Sequence, residues 1–166
     1  MEHIEIQPYI VQLSERKLVG KRLRMSLAND KTGELWRSFM MNRKSITNAI
    51  GVNLYSMQSF EPGYFEKFSP LNEFEKWALV EVPDFECVPD DMEAKVLPAG
   101  QYAVFHYKGS SAKGAQIFQY IFGKWLPGSA YMLDNRPHFE LLGEKYKNNS
   151  ADSEEEIWIP VKAKNS

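Results

Sequence analysis

Val96-Leu-Pro-Ala-Gly-Gln-Tyr-Ala-Val-Phe-His-Tyr107 decides the fold, because it follows the plan of an earlier stretch, Leu13-Ser-Glu-Arg-Lys-Leu-Val-Gly-Lys-Arg-Leu23. In each stretch a short apolar run precedes a turn and a longer run, which predicts a pair of strands. One plan that occurs twice in a short chain indicates an internal repeat. The other segments can be compared on the same basis.

Each predicted strand pair is followed by an apolar stripe at helical spacing. The stripe consists of Leu35, Trp36, Phe39 and Met40 in the first half, and of Ile117, Phe118, Ile121, Phe122 and Trp125 in the second. Residues at this spacing share one side of a helix, so each helix has one apolar side. Pro127 and Gly128 are expected to end the second helix.

Two further strand candidates follow each helix. Segments 53–57 and 77–82 correspond to segments 138–142 and 157–161, with nearly constant spacing. We therefore predict an α+β fold: a duplicated strand-helix-strand-strand unit with pseudo-twofold symmetry, whose antiparallel sheets form a central ligand groove. The whole chain, 1–166, is predicted to be one domain, with repeat one at about 4–83 and repeat two at about 92–163. Pro160 indicates an edge or a bulge in the last strand, because proline cannot donate to the ladder.

Composition excludes several functional classes. The chain has 166 residues, 43% of them apolar and 25% charged, which is typical of one globular domain. A net charge of −2 with scattered basic residues argues against direct nucleic-acid binding. The sequence has neither a membrane-spanning run nor a signal peptide, so we expect a cytoplasmic protein without membrane contact. One cysteine and three histidines without ligand spacing predict no disulfide, no metal site and no cofactor.

Glu140 is the strongest candidate for ligand contact. It lies in the strand-like run Pro137-His-Phe-Glu-Leu-Leu142, within a segment rich in aromatic residues. Alternation in a strand places His138 and Glu140 on a mixed face and Phe139 on an apolar one. A lone acid among aromatic rings suggests a receptor for a cationic or electron-poor compound. The repeat aligns Glu140 with Tyr55, so we expect both side chains to point into the groove between the halves.

Other reactive groups have ordinary interpretations. The segment from Gly109 to Gly114 lacks the Lys and Ser or Thr of a phosphate-binding loop and is interpreted as a turn between strand and helix. Cys87 follows acidic and apolar residues, which disfavours a reactive thiolate and favours a packing role. The acidic run 154–156 is interpreted as a solvated strand entrance rather than a metal site.

Four motifs together resemble the GyrI-like small-molecule-binding domain, which is also the effector-binding domain of AraC-type regulators. They are Tyr102-Ala-Val-Phe-His-Tyr-Lys-Gly109, Trp125-Leu-Pro-Gly-Ser-Ala-Tyr131, Arg136-Pro-His-Phe-Glu140 and Glu156-Ile-Trp-Ile-Pro160. The resemblance spans nearly the whole chain, most clearly from residue 77 onward. It implies the same duplicated fold that the repeat predicts.

The resemblance also implies a site. The family's acid for cationic ligands matches Glu140, and its Trp-Leu-Pro-x-Ser-x-Tyr segment matches Trp125 and Tyr131, although Trp125 is equally suited to helix packing. Family members usually carry a joined helix-turn-helix domain. Here the two repeats take up the chain, so we expect a stand-alone member that acts on transcription through a partner regulator.

Three functions are compatible with this resemblance. The first is binding of a small hydrophobic or cationic aromatic compound, in transcriptional regulation or in drug or toxin sensing. The second is a protein-interaction module that inhibits an enzyme such as gyrase. The third is hydrolysis of cyclopropane-bearing genotoxins, with Glu140 as the general base. Sequence favours the binder, followed by the interaction module, and assigns no catalytic residue otherwise.

Overall fold

The computed structural model describes residues 6–108, 114–143 and 154–164, and the predicted turn at 109–113 lies outside them. Its described elements follow one another in a strand-strand-helix-strand-strand order that recurs, with one short extra strand after the second helix. They are β1 (Tyr9–Leu13), β2 (Arg16–Ser26), α1 (Thr32–Asn42), β3 (Leu54–Ser59), β4 (Glu73–Val82), β5 (Glu93–Leu97), β6 (Gly100–Lys108), α2 (Gly114–Tyr120), β7 (Tyr131–Leu133), β8 (His138–Leu142) and β9 (Glu154–Ala163).

The chain stays helical beyond the last residue of α2. The chain continues in a wider helical turn over Ile121–Trp125 and then in a last turn over Leu126–Gly128. Pro127 and Gly128 lie in that last turn, and Ser129 is already extended, so the helix ends where the sequence predicts. Leu35, Phe39, Ile117 and Ile121 of the predicted stripes are buried, whereas Met40, which was also predicted to lie in the first stripe, is 47% exposed.

All strand pairs are antiparallel, and nine strands form one sheet. Eight follow the order β1-β6-β9-β8-β3-β4-β2-β5, and β7 pairs with β9 beside it. This confirms the predicted α+β class. The strand order is symmetrical about the β3–β8 pair. At each edge of the sheet, a strand that precedes one helix pairs with a strand that precedes the other: β1 pairs with β6, and β5 pairs with β2. The two halves therefore share one sheet rather than opposing two.

One face of the sheet carries an apolar core without a helix. Tyr55, Met57, Leu79, Phe139 and Trp158 belong to it, and so do residues from both ends of the sheet. Distant strands can share a cluster only if the sheet curves around it. The faces that were expected to meet or to enclose a ligand therefore meet, and the space between them is packed.

The other face carries both helices. Leu35 and Phe39 of α1 pack against Val19 and Val80 on β2 and β4. Residues of α2 and its continuation, among them Ile117 and Ile121, pack against β6 and β9 in a separate cluster. The central strands β3 and β8 lie between these two clusters. The predicted groove between the helix-free faces is therefore filled, and the surface of β3 and β8 that the helices flank lies on the other side of the sheet.

Pro160 lies where the neighbour of β9 changes. β8 pairs with β9 up to Trp158, and β7 pairs with β9 from Val161 onward. The carbonyl oxygen of Pro160 accepts a hydrogen bond from the Asp134 backbone N–H at 3.0 Å, so this side of Pro160 faces the gap between β7 and β8. The missing N–H of proline therefore falls at an interruption of the ladder.

Candidate ligand-binding groove

The groove is the surface of β3 and β8 between α1 and α2. Register defines its floor, because residues paired across two strands point to the same side. Ser56 pairs with Glu140, and Gln58 pairs with His138. Ser56 and His138 are buried, with 4% and 7% of their surface exposed, whereas Glu140 is half-buried. The floor is polar although apolar clusters flank it on both sides.

Glu140 has a carboxyl partner in Glu155 of β9. Glu140 pairs with Ile157, so Glu155 lies on the same face, one pleat further along. Burial, the charge of Glu140 and a hydrogen bond between the two side chains together raise the pKa of Glu155 to about 8. A carboxyl group with this pKa keeps its proton at neutral pH. Glu155 is therefore the donor in that hydrogen bond, and Glu140 accepts.

Lys76 is the third ionisable group at the floor. It pairs with Gln58 in β4 and shows only 8% of its surface. Burial lowers the pKa of Lys76, while the charges of Glu140, Asp30 and Glu155 oppose that shift. The expectation of a lone acid is therefore wrong: Glu140 shares its surroundings with a second carboxyl group and a buried lysine. A single polar residue in an apolar run gives no indication of charges on other strands.

Aromatic rings close the end of the groove at His138. The imidazole stacks on Phe65 with 5.5 Å between ring centroids and on Phe122 with 6.2 Å, and Phe60 contacts it edge-on at 5.0 Å. Phe65 also stacks on Phe122 at 5.5 Å, so the segment between β3 and β4 reaches the continuation of α2. Burial lowers the pKa of His138 to about 3, so the imidazole is neutral in the physiological range.

One cavity, of about 550 Å³, lies at the His138 end of this floor, borders Tyr131 and has Phe60, Tyr64 and Phe65 in its wall. Another, of about 400 Å³, borders Glu155 but is lined mainly from the helix-free face of the sheet, by His106, Leu141 and Glu156. Glu140 lines neither of these two. The first has the volume of a site for a small organic compound, which is about 300–1,000 Å³.

Tyr55 lies on the opposite face from Glu140, which corrects the sequence-based expectation. It pairs with Leu141 and is 1% exposed within the helix-free core. Its hydroxyl accepts a hydrogen bond of 2.6 Å from Arg16, and its ring lies 5.5 Å from Phe139. The alignment of the two halves was one residue out of register, and one residue in a strand reverses the face. Ser56 takes the position that was expected for Tyr55.

Trp125 and Tyr131 lie together, at the α2 side of the groove. The Trp125 ring contacts Phe105 of the sheet edge-on at 5.1 Å and stacks on Tyr131 at 6.4 Å. Trp125 is therefore placed as a packing residue of the helix, which is one of its two sequence-based interpretations. Tyr131 is half-buried and faces the larger cavity.

Three residues of the floor escaped sequence reasoning. The run 154–156 was interpreted as solvated, but strand alternation puts Glu155 in phase with Ile157 and Ile159, which are buried. This alternation could have predicted that Glu155 lies on the same face as Ile157 and Ile159. Lys76 and Ser56 carry no such signal, because their position depends on which strands pair. Cys87, for which packing was expected, is exposed.

The described ranges contain neither a group of three or more His, Cys, Asp or Glu residues placed to hold a metal ion nor a helix long and apolar enough to cross a membrane.

Comparison with known proteins gives consistent matches over the whole fold. A family model described as "Integron-associated effector binding protein" matches residues 9–161. The transcriptional regulator BrlR of Pseudomonas aeruginosa is 25% identical over 154 residues, which are 92% of this chain and 54% of that protein. The chain thus spans about half the length of this regulator.

Solved structures show the same fold. SAV2435 bound to tetraphenylphosphonium has a TM-score of 0.73 at 17% identity, with 95% of this chain and 94% of that chain covered. The integron cassette protein VCH_CASS2 of Vibrio cholerae has a TM-score of 0.65 at 16% identity, with 94% and 96% covered. The C-terminal domain of EcmrR has a TM-score of 0.67 at 18% identity, with 96% and 99% covered.

Proposed function

Because this chain belongs to the family of integron-associated effector binding proteins, we propose that its groove binds a small hydrophobic organic cation. The observation that carries the proposal is the carboxyl pair Glu140 and Glu155, which lies on the floor between two helices and beside a cluster of aromatic rings. The narrower likeness to GyrI-like domains stays a prediction. The mechanism uses only side chains of this chain.

Charge supplies the first part of affinity. Glu140 is half-buried and accepts the proton-bearing carboxyl group of Glu155. Charges in a partly desolvated site attract more strongly than they do in water. A bound cation would favour the ionised state of Glu155. A hydrogen bond or contact with a charged group contributes about 1.5–3 kcal/mol.

Aromatic surface supplies the second part. Phe65 is 40% exposed and lies against Phe122 and His138 at the end of the floor. A cation over an aromatic face gains about 0.5–2 kcal/mol, and buried apolar area adds roughly 25 cal/mol per Å² before the cost of association. Such a site selects by shape and charge. Tetraphenylphosphonium, which is bound to SAV2435, combines both properties and is a suitable probe.

The biological role that we propose is sensing. BrlR is a transcriptional regulator, and EcmrR has been visualised in a complex with DNA. In this proposal the occupied groove changes how the protein acts on a regulator or on transcription, in response to a drug or toxin. The domain itself does not need to contact nucleic acid for that role.

The test is titration calorimetry with tetraphenylphosphonium on the wild type and on Glu140→Gln. We expect the variant to bind at least tenfold more weakly, a loss of about 1.4 kcal/mol. Glu86→Gln is the matched control, because it removes the same charge from an exposed position. Equal affinities of wild type and Glu140→Gln would remove Glu140 from the site.

Hydrolysis is a second candidate, favoured by the same carboxyl pair. An ionised Glu140 beside a protonated Glu155 offers a general base and a general acid in one place. Incubation with a cyclopropane-bearing alkylating compound, followed by mass spectrometry, tests it. Water added in the wild type but not in Glu140→Gln would support an enzyme, and an unchanged mass would argue against it.

A further inference from the structure

We infer that Lys76 keeps the floor of the groove electrically neutral, so that an organic cation binds only as one proton leaves the Glu140–Glu155 pair. The inference rests on the proposed function and deepens it. It makes Lys76 a residue that sets affinity and charge selectivity without being part of the aromatic wall.

The position of Lys76 on the sheet is the first step. Lys76 pairs with Gln58, and Gln58 pairs with His138, so the three residues form one row on the helical face. Ser56 and Glu140 form part of the next row. Strands lie about 4.8 Å apart and residues rise about 3.4 Å along a strand, so the backbones of Lys76 and Glu140 are about 12 Å apart across β3. A lysine carries its ammonium group on a flexible four-carbon stem that can bridge much of this distance.

The burial of Lys76 is the second step. Only 8% of its surface is exposed, although lysine is almost never buried without a partner. Its electrostatic partners come from three directions: Glu140 on β8, Glu155 on β9 and Asp30 in the turn before α1. All are carboxyl groups. A buried ammonium group surrounded by acids is held there by them.

The remaining titratable neighbours do not change this balance. Lys21 on β2 is engaged by Ser38 at 2.9 Å and by Asp91 at 3.3 Å. His138 is neutral, since burial lowers its pKa to about 3. Tyr107 on β6 is the strand partner of Glu155 on β9. Asp30 is exposed to solvent and accepts hydrogen bonds from the backbone N–H and the hydroxyl of Thr32, so solvent screens its charge. The charge of the buried floor is therefore set by Lys76, Glu140 and Glu155.

The charge balance follows from these three groups. In the empty groove an ionised Glu140 balances Lys76, and the protonated Glu155 adds no charge. A bound monovalent cation adds one positive charge, which the loss of the Glu155 proton compensates. Without Lys76, the empty floor would already carry one negative charge. A cation would then bind without proton release, and Glu140 would no longer be shared between Lys76 and the ligand.

Lys76→Met is the decisive variant, because methionine is close to lysine in shape and removes only the charge. Titration of tetraphenylphosphonium in two buffers of different ionisation enthalpy counts the protons released. We expect release of about one proton per ligand at neutral pH in the wild type. In Lys76→Met we expect little release and affinity at least tenfold higher. Lys44→Met, at an exposed position, is the control for loss of a lysine.

Glu155→Gln makes the test independent of one variant. It should also abolish proton release, but with weaker rather than stronger binding. Glu140 still balances Lys76 in this variant, so the positive charge that the ligand adds stays uncompensated. Thermal unfolding of each variant checks that it is folded, and Lys76→Gln replaces Lys76→Met if the latter does not fold.

The outcomes separate the two proposals. If Glu140→Gln binds more weakly than the wild type but Lys76→Met binds equally or more weakly, the groove binds cations and the role of Lys76 is wrong. If neither the wild type nor Lys76→Met binds, both proposals fall. Tighter binding of an organic anion by the wild type than by Lys76→Met, without cation binding, would also overturn both.

Discussion

Ser56 lies directly opposite Glu140 in the β3–β8 pair, and it is 4% exposed. A hydroxymethyl group at this position leaves the carboxyl group room on the floor of the groove. The strands that meet here come from different halves of the chain, so this pair is where both halves contribute to one surface.

Replacing Ser56 by leucine should obstruct the floor. Added side-chain volume in a packed site costs about 1–3 kcal/mol of folding free energy, and it should weaken tetraphenylphosphonium binding at least tenfold. Calorimetry measures the binding and urea denaturation the stability. Ser14→Leu, at an exposed position between β1 and β2, is the control. Unchanged affinity in a folded Ser56→Leu protein would place the ligand elsewhere.

Tyr55 is expected to matter for stability and not for ligand binding. Its hydroxyl accepts the 2.6 Å hydrogen bond from Arg16 on the helix-free side of the sheet. Tyr55→Phe should therefore lower the free energy of unfolding by about 1–2 kcal/mol, because the Arg16 donor loses its partner. Ligand affinity should stay within twofold. Urea denaturation and calorimetry on one sample measure both, and a large loss of affinity would return Tyr55 to the site.

The sequence predicted the elements of this fold better than their pairing. Helical stripes at Leu35 and Ile117 are local signals, and each helix buries the predicted side. No local signal predicts that the edge strands of one half pair with strands of the other half, because β1 and β6 are far apart in the sequence. Contacts of this kind depend on the whole fold rather than on any one segment.

The site shows the same limit. Glu140 and His138 could be predicted to share a face, because alternation within one strand is a local property. Lys76 and Ser56 reach that face from other strands, and a shift of one residue in the comparison of the halves was enough to select Tyr55 instead of Ser56. Register between strands therefore decided which of the predicted residues share a face with Glu140.

Glu155 should make the protein less stable as the pH rises. The unfolded chain loses this proton near its ordinary pKa of 4.5, whereas burial and Glu140 raise the pKa in the folded protein to about 8. Between these values the folded state binds more protons, so its stability falls with increasing pH. The wild type should lose stability relative to Glu155→Gln between about pH 5 and about pH 8. Urea denaturation at several pH values measures this difference, and a constant difference would contradict the environment of Glu155.

His138 should have the opposite effect, at lower pH. Burial among Phe60, Phe65 and Phe122 lowers its pKa to about 3, while the unfolded chain takes up a proton near 6.5. Between these values the unfolded state binds more protons, so stability falls as the pH falls. His138→Phe keeps an aromatic ring in the cluster and should lose less stability than the wild type between about pH 6.5 and about pH 4. Where this range overlaps that of Glu155, the two contributions oppose each other, so each variant must be compared with the wild type at the same pH. His106→Gln, which alters an exposed histidine, should follow the wild type. If His138→Phe shows the same acid sensitivity as the wild type, the imidazole is protonated in the folded protein and the aromatic end of the groove carries a charge.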